Sequence, residues 1–365
     1  MAMDPRNAVI LIPSLEPDDR LPLYLGKLKE KGFEKIVVVD DGSSEKTQHL
    51  FDEMAKMEGV HVLHHDVNHG KGVALKTGYR WIKDNLKGVS GVITADADGQ
   101  HTVEDCWRLA GALGEGKRAM YMGSRDFNLP NIPPRSRMGN KITSTVFWAL
   151  YGQYLQDTQT GLRAFPASEL QFMMDVPGER YEYEMNVLIA CARASLPMIP
   201  MTIETVYENN NEGSHFHPIR DSYRIYKVIL GNFVKFMAAS LCSFLIDQGV
   251  FALMEHVVLS AVGWGLPLIQ GVSTIVARLV SAPCNFLMNR SFVFNFKDNT
   301  AQTAVKYAVL CIFIMLLSWL GVAVLSLLGM PKALDNLSKL IIDTCLYFLS
   351  YRVQNKWIFR EEQKA

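Results

Sequence analysis

Two acidic residues stand one residue apart where an apolar strand should end. The stretch VITADADGQH (residues 92–101) begins as a strand and then places Asp96 and Asp98 before Gly99. Two carboxylates so close repel each other unless a positive charge lies between them. A hard divalent cation does that through oxygen ligands, and Mg²⁺ commonly links such acids to substrate phosphates. We therefore predict a site for Mg²⁺ or Mn²⁺ at Asp96 and Asp98, with Gln100 nearby. The alternative is a solvated Asp-rich turn.

Two further polar segments follow predicted strands. VVVDDGSSEKT (37–47) ends a strand in Asp40 and Asp41, which would face a ribose or base unless the segment is only a strand-to-helix turn. NHGKG (68–72) places Lys71 between two glycines at a helix start. Helix amides and an ammonium there can hold a phosphate. A plain Gly-rich turn is an equally good interpretation of this segment.

Short apolar strands alternate with amphipathic helices up to about residue 125. This pattern predicts an α/β domain whose mainly parallel sheet is covered by helices on both faces. In such sheets ligands bind beyond the carboxyl ends of the strands, where the polar segments fall. The predicted strands are 8–12, 35–40, 60–65, 90–95 and 119–123, and the predicted helices lie near 18–31, 44–57, 70–86 and 102–115.

Composition divides the chain in two. Basic and acidic residues number 37 each, so the net charge does not indicate a nucleic-acid partner. Charged residues become rare after about residue 230, where four apolar segments follow, near 233–256, 266–288, 304–329 and 336–354. Apolar runs of about 18 or more residues are typical of membrane spans. We therefore expect an all-α membrane domain of four helices.

Basic residues between the apolar segments predict its orientation. They concentrate between the second and third segments and after the fourth, which places these parts, both termini and the α/β domain in the cytoplasm. The residues concerned are Arg290, Lys297, Lys306, Arg352, Lys356, Arg360 and Lys364.

The apolar segments contain a repeat. CNFLMNRSFVF (284–294) closes the second segment, and LSYRVQNKWIF (349–359) closes the fourth, 65 residues later. Two duplicated helical hairpins explain this pattern. At the same offset Arg278 aligns with Asp343, and we expect these two charges to pair between the second and fourth helices, because buried charges in spans seek partners.

A predicted helix at 134–155 admits two interpretations. Its apolar residues form a helical stripe, whereas Arg135, Arg137 and Lys141 crowd its start. It is either a helix packed into the core or one that lies at the membrane interface.

The motifs taken together resemble a known family. IPSLEPDD, VVDDGSS, NHGKG and DADGQH are followed by GSR (123–125), SRMGN (136–140), DTQTGLRAF (157–165) and RYEYEMNVL (180–188). This succession resembles a family 2 glycosyltransferase with a Rossmann-like GT-A fold. More narrowly it resembles the branch of dolichyl-phosphate mannose synthase and bactoprenyl glucosyltransferase, here fused to a GtrA-like membrane domain. The predicted domains are 1–220, an interfacial linker 221–232, and 233–365.

The resemblance implies a reaction and a set of site residues. A hexose would pass from a UDP- or GDP-sugar to a polyprenyl phosphate at the cytoplasmic membrane face, with inversion and with Mg²⁺ or Mn²⁺. The catalytic residues would be Asp96, Asp98, Arg125, Arg137 and Asp157. The acceptor phosphate would bind Arg125, Arg135 and Arg137. The nucleotide sugar would bind Pro13, Ser14, Glu16, Asp40, Asp41, Lys71, Asp96, Ala97, Asp98, Gln100, Ser214 and His215.

Several choices stay open at this stage. Asp157, Glu182 or Glu184 would order the acceptor arginines or the sugar hydroxyls, or pair with other arginines. The family often has Asn-Glu after the first strand and Gly-x-Ser-Lys on a closing loop. This chain has Ser-Leu-Glu and, at 212–215, EGSH. The lipid is undecaprenyl or dolichyl phosphate, and a homo-oligomer is possible. The competing functions are translocation of a lipid-linked sugar and direct glycosylation of another envelope acceptor.

Overall fold

The computed structural model describes residues 4–129, 132, 134–204, 218–258, 265–297, 299–328 and 334–359. Its contacts divide the chain into two units, Met1–Ile229 and Leu230–Ala365. This boundary falls inside the predicted linker 221–232.

A seven-stranded sheet forms the centre of the first unit. Its order is β3-β2-β1-β4-β6-β5-β7, and only β6 runs antiparallel to its neighbours. The strands β1, β2 and β4 are buried almost throughout, as expected where helices cover both faces of a parallel sheet. This is the predicted Rossmann-like α/β domain. The strands are β1 (Ala8–Ser14), β2 (Lys35–Asp40), β3 (Val60–His64), β4 (Gly91–Thr94), β5 (Met120–Arg125), β6 (Arg163–Pro166) and β7 (Met198–Ile203).

Helices follow the first four strands as the sequence predicts. Gly32 ends the first helix with φ 113°, a left-handed conformation that glycine adopts without strain. The Thr102 hydroxyl caps the fourth by accepting a hydrogen bond from the Asp105 amide at 3.1 Å. The helices of this unit are α1 (Arg20–Lys31), α2 (Gln48–Met54), α3 (Lys71–Asn85), α4 (Val103–Leu113), α5 (Pro134–Tyr151), α6 (Leu170–Asp175) and α7 (Glu182–Ala194).

The strand register places the two acids of DADG at the edge of the sheet. Leu11 lies beside Thr94, and the Ala95 amide donates the next hydrogen bond to the Leu11 carbonyl at 3.0 Å. Asp96 and Asp98 therefore come directly after the last hydrogen bond between β1 and β4. This is the carboxyl edge of the sheet, where the strand order reverses and ligands bind in such folds.

Helix α5 presents apolar residues on two faces. Phe147, Leu150 and Tyr151 are buried, as the core-packed interpretation requires. Ile142 is 47% exposed and Met138 62% exposed. The second face therefore remains compatible with the interfacial interpretation.

The second unit is helical. Its helices are α8 (Pro218–Leu253), which begins in the first unit, α9 (Leu266–Met288), α10 (Thr300–Leu327) and α11 (Asp335–Val353). Within the described residues, three stretches are long and apolar enough to cross a membrane, namely Tyr223–Val257, Leu266–Val293 and Thr300–Leu325. Helix α11 carries Lys339, Asp343 and Arg352 and is not among them. The fourth span stays a prediction.

The repeated residues of this unit make matching contacts. Lys235 lies over the Phe292 ring at 5.7 Å, and Lys306 lies over the Trp357 ring at 5.6 Å. Asn289 and Gln354, at equivalent positions, share a hydrogen bond of 3.1 Å. The equivalent Phe294 and Phe359 rings stack at 4.9 Å. The two hairpins thus meet through like residues, as expected for an internal duplication.

The expected pair between Arg278 and Asp343 is wrong. Arg278 Nε lies 3.6 Å from Asp247 Oδ1, on the preceding helix of the same hairpin. Asp343 accepts hydrogen bonds from Ser318 Oγ at 2.5 Å and Lys339 Nζ at 2.9 Å. Each charge is compensated within its own hairpin, because partners there are closer than those offered by the repeat.

Candidate active site

A cavity of about 650 Å³ opens at the carboxyl edge of the sheet. Many of the predicted site residues line it: Pro13, Ser14, Glu16, Asp41, Lys71, Asp96, Ala97, Asp98 and Arg125. It is also lined by residues that were not among the predicted site residues, although several belong to the quoted motifs: Leu15, Pro17, Asp18, Arg20, Asn68, Gly70, Thr158, Gln159, Arg180, Tyr181, Met185 and Ile225. Glu184, one of the residues left open, lines it as well.

Lys71 holds the centre of the cavity wall. Its Nζ lies 2.7 Å from Asp96 Oδ1 and 3.0 Å from Glu184 Oε1. Burial alone would lower the pKa of Lys71, but the charges of Asp96 and Glu184 outweigh burial and raise it. Lys71 is therefore a permanent cation that joins the start of α3, the end of β4 and the first turn of α7.

Both oxygens of Asp96 are engaged. Oδ1 accepts the Lys71 ammonium, and Oδ2 lies 3.2 Å from His101 Nε2. Burial would raise the pKa of Asp96, yet Lys71 and His101 hold it well below its usual range. Gly161 lies against this carboxylate so closely that a Cβ there would fall 2.4 Å from Asp96 Oδ2. Asp96 is thus a fixed anion.

Asp98 differs from Asp96, because its pKa is raised and not lowered. Its Oδ1 accepts a hydrogen bond from the Gln100 amide at 3.0 Å. Burial, and then the charge of Asp96, raise the pKa of Asp98. An added positive charge therefore stabilises the ionised form of a carboxylate whose pKa is raised in this way.

The two acids of VVDDGSS have different roles. The Asp41 carboxylate accepts hydrogen bonds from the amides of His69 at 3.0 Å and Gly70 at 2.7 Å, and from His65 Nδ1 at 2.8 Å. It lines the cavity while fixing the loop that leads to Lys71. Asp40 does not line the cavity, and its place beside the nucleotide stays a prediction.

The reason is that the Asp40 side chain points into the turn that follows β2. It accepts hydrogen bonds from Ser43 N at 2.8 Å and Gln48 Nε2 at 3.1 Å. His64 Nδ1 lies 3.0 Å from its second oxygen. This is the strand-to-helix turn that the sequence offered as the alternative.

Residues at and just after the end of β1 form another side of the cavity. Glu16, with φ 49°, accepts hydrogen bonds from the amide and hydroxyl of Ser44 at 2.7 and 3.0 Å. The Ser14 hydroxyl is buried and, within the described part of the chain, has no hydrogen-bond partner. A ligand in the cavity can supply that partner, since buried hydroxyls are rarely left unpaired.

Arg125 and Asp157 form an ion pair. Asp157 is fully buried and accepts hydrogen bonds from Arg125 Nε at 2.7 Å and Nη2 at 3.1 Å. Of the roles left open for Asp157, the structure favours holding an arginine. Arg125 lines the cavity beside Thr158 and Gln159.

Other predicted residues lie apart from the cavity or outside the described residues. Arg137 is exposed, does not line the cavity and donates a hydrogen bond to the Leu129 carbonyl at 2.9 Å. Gln100 does not line the cavity either and contacts Asp98 through its backbone. The side chain of Arg135, and Ser214 and His215, lie outside what the structure describes.

Between Glu182 and Glu184, the structure distinguishes clearly. Glu182 Oε1 accepts hydrogen bonds from the amides of Glu179 and Arg180 at the start of α7. Glu184 reaches Lys71 instead. The motif RYEYE was visible in the sequence, but choosing its second glutamate required knowing which face of α7 meets Lys71.

The charges lining the cavity do not cancel. Six acids line it against four bases, an excess of two formal negative charges. Within the described residues, no three His, Cys, Asp or Glu side chains are placed to bind a metal among themselves. Mg²⁺, however, is commonly bound by one or two carboxylates together with substrate phosphates and water. Asp98 and Asp96 fit that arrangement by chemistry and by charge.

Comparisons with known proteins agree with the motifs. Residues 10–174 match the family model described as glycosyl transferase family 2, and residues 235–359 match the model described as GtrA/DPMS, transmembrane domain.

Curated relatives match about half of the chain. An undecaprenyl-phosphate mannosyltransferase of Micrococcus luteus is 30% identical over 207 residues, 55% of this chain and 84% of that protein. A polyprenol monophosphomannose synthase of Mycolicibacterium smegmatis is 31% identical over 172 residues, 46% of this chain and 64% of that protein. A UDP-N-acetylglucosamine–dolichyl-phosphate N-acetylglucosaminyltransferase of Methanococcus voltae is 27% identical over 215 residues, 54% of this chain and 85% of that protein.

Among solved structures, glucosyl-3-phosphoglycerate synthase of Mycobacterium tuberculosis, crystallised with Mn²⁺, UDP and phosphoglyceric acid, is 15% identical. The match has a TM-score of 0.46 and covers 61% of this chain and 77% of that one.

The ion pair of Arg125 gives a first testable prediction. Arg125→Met leaves the buried Asp157 carboxylate without its cation, and breaking a buried pair costs about 3–5 kcal/mol. Because the Arg125 side chain is 26% exposed, we expect the lower end of this range. For a domain of this size that lowers the melting temperature of the detergent-solubilised chain by roughly 6–12 °C.

The double variant Arg125→Met/Asp157→Asn should recover most of this loss, because no buried charge remains. Arg80→Met, at an exposed position of α3, is the matched control and should leave the melting temperature unchanged. A double variant no more stable than Arg125→Met would contradict the pairing.

Proposed function

The chain belongs to glycosyltransferase family 2, and we propose that it transfers a hexose from a nucleoside-diphosphate sugar to a polyprenyl phosphate. The observation that carries the proposal is the cavity beside Asp96 and Asp98, in a chain whose second part matches a transmembrane domain. The names of three relatives support it: an undecaprenyl-phosphate mannosyltransferase, a dolichyl-phosphate N-acetylglucosaminyltransferase and a polyprenol monophosphomannose synthase.

A phosphate acceptor removes the need for a catalytic base. The second pKa of a phosphate monoester is about 6, so near pH 7 the acceptor is largely a dianion and already nucleophilic. The acids of the cavity suit this reaction, because Asp96 is held by Lys71 and His101 and is not free to remove a proton. The difficulty is electrostatic: a dianion must approach a substrate that carries a diphosphate.

Bond changes in the proposed step are simple. An oxygen of the acceptor phosphate forms a bond to the anomeric carbon, while the bond from that carbon to the β-phosphate oxygen breaks. The nucleoside diphosphate departs with the electron pair, and the direct displacement inverts the anomeric configuration. No proton has to move in this step.

One side of the cavity suits the nucleotide sugar. The unpartnered Ser14 hydroxyl, the remaining lone pair of Asp41 and the backbone around Pro13 and Ala97 offer polar contacts there. Lys71 keeps Asp96 and Glu184 in place and adds positive potential at the start of α3.

A divalent cation, Mg²⁺ or Mn²⁺, belongs to the proposal. Asp98 would hold the cation. Asp96, through a remaining lone pair, and Gln100 are the further predicted ligands. When bound, the cation neutralises charge on the leaving diphosphate. The two excess negative charges of the lining and the raised pKa of Asp98 support this assignment.

The other side of the cavity suits the lipid phosphate. Arg125 carries a planar fork that binds phosphate through two hydrogen bonds, and Asp157 orients it. Tyr181, Met185 and Ile225 line the same cavity and offer apolar contact to the first part of a prenyl chain. Arg135 and Arg137 remain proposed to help bind the acceptor phosphate.

The membrane completes the proposal. The basic residues predict that the first unit and both termini lie in the cytoplasm, with four spans. Exposed apolar side chains on and just after α5, at Met138, Ile142, Trp148 and Tyr154, would enter the interface where the lipid phosphate lies.

The proposed reaction is tested by a screen. The full chain in detergent is offered UDP- and GDP-hexoses with a short polyprenyl phosphate and Mn²⁺ or Mg²⁺. We expect a polyprenyl-phosphate hexose from at least one donor, and none from the matching polyprenol, which lacks the ionised nucleophile. Equal use of the polyprenol, or no product from any donor, would contradict the proposal.

Asp98 gives a second prediction. Asp98→Asn keeps the shape of the side chain but removes its charge, so transfer should fall by about 10²-fold or more and lose its dependence on added metal. Initial rates over a titration of Mn²⁺ measure both effects. Asp66→Asn, at an exposed aspartate, is the control. Full turnover by the Asp98 variant would show that the metal assignment is wrong.

Helix α5 gives a third. Ile142→Glu places a charge on the exposed apolar face and should raise the KM for long-chain polyprenyl phosphate in vesicles several-fold, with little change for a short-chain acceptor in detergent. Leu23→Glu, on the exposed face of α1, is the matched control. If both variants respond alike, α5 does not lie at the interface.

A further inference from the structure

Arg180 differs from the other cations that line the cavity. Arg20 is paired with Asp18 at 2.7 Å, and Lys71 and Arg125 have the carboxylate partners described above. In the described part of the chain Arg180 forms no ion pair, and its side-chain contact is Asn68 Oδ1, 3.5 Å from Nη1. Arg180 is also exposed to solvent.

The backbone around Arg180 is nevertheless fixed. The Val73 amide, in the first turn of α3, donates a hydrogen bond to the Glu179 carbonyl at 3.0 Å. Glu182 Oε1 accepts the Arg180 amide at 3.1 Å. These bonds tie the segment before α7 to the start of α3.

Gly70 permits this close approach. It has φ 104°, and a Cβ there would fall 2.6 Å from both Arg180 Cγ and the Glu179 carbonyl oxygen. The stem of Arg180 therefore lies directly on Gly70, next to Lys71. This stem therefore lies beside the start of the 15-residue helix α3, which is the positive end of the helix dipole.

The pairing of the other cations decides which one can meet an incoming anion. If Lys71 moved to contact the anion, Asp96 and Glu184 would both lose their positively charged partner. If Arg125 moved, the fully buried Asp157 would lose its partner. Leaving a buried carboxylate without its cation is strongly destabilising. Arg180 can contact an anion without leaving any described carboxylate unpaired.

We propose that Arg180 binds the diphosphate of the nucleotide substrate, through the two-hydrogen-bond contact that guanidinium groups make with phosphate. This rests on the proposed function and assigns a residue to its leaving group. In this proposal Arg180 binds the departing diphosphate, and Arg125 binds the acceptor phosphate.

Binding measurements separate this role from a general loss of structure. Affinities of the full chain in detergent are measured with Mn²⁺ for UDP and GDP, and by competition for uridine and guanosine. Arg180→Gln should lower the affinity for the nucleoside diphosphate that the wild type prefers by about 10–100-fold. The affinity for the corresponding nucleoside should change less than about twofold. Arg180→Lys should restore part of the loss, because it keeps the charge but not the fork.

Controls make each outcome decisive. Arg80→Gln, on the exposed face of α3, should bind all ligands as the wild type does. Unchanged diphosphate affinity in Arg180→Gln, or equal losses for diphosphate and nucleoside, would overturn the assignment while leaving the proposed function intact. If the wild type binds neither UDP nor GDP, the proposed function fails and this assignment with it.

Discussion

The contact of Lys71 with Asp96 and Glu184 is the constraint on which the cavity depends. It joins three elements distant in sequence: the start of α3, the end of β4 and the first turn of α7. Asp96 and Asp98 can stand one residue apart because an internal cation compensates the first of them. The second is left with a raised pKa and few partners. In the proposed site, an added cation therefore stabilises Asp98 more than Asp96.

The same rule of local compensation governs other parts of the chain. The buried Asp157 carboxylate is paired with Arg125. The buried Asp41 carboxylate accepts hydrogen bonds from two amides and from His65. In the membrane unit, Asp247, Arg278 and Asp343 have their partners inside their own hairpin. Contacts between the two hairpins include uncharged residues at equivalent positions, Asn289 with Gln354 and Phe294 with Phe359. A buried charge is costly both in the interior of the first unit and within a membrane span, so these charges lie next to a nearby partner.

Much of the fold and part of the site could be predicted from the sequence. The first four strands and their helices follow from alternating apolar segments, and the acids at 96 and 98 were placed at the sheet edge because β4 had to end there. The sequence does not predict the strands β6 and β7, since β6 has only four residues and the burial of β7 is mixed. Contacts between distant elements were harder still. Asp40 and Asp41 look alike in sequence, but a one-residue difference turns one into the post-β2 turn and the other towards the cavity.

Because Lys71 and His101 hold Asp96, we propose that a cation at Asp98 needs further ligands from the substrate. The most direct test is the electron paramagnetic resonance of Mn²⁺ titrated into the full chain, with and without the nucleoside diphosphate that it binds. Nucleotide and buffer without protein provide the reference. We expect tight binding of Mn²⁺ by the protein only when the diphosphate is present, with an affinity at least tenfold above that for either component alone. Equally tight binding without nucleotide would contradict the account, because the protein would then hold a complete metal site of its own.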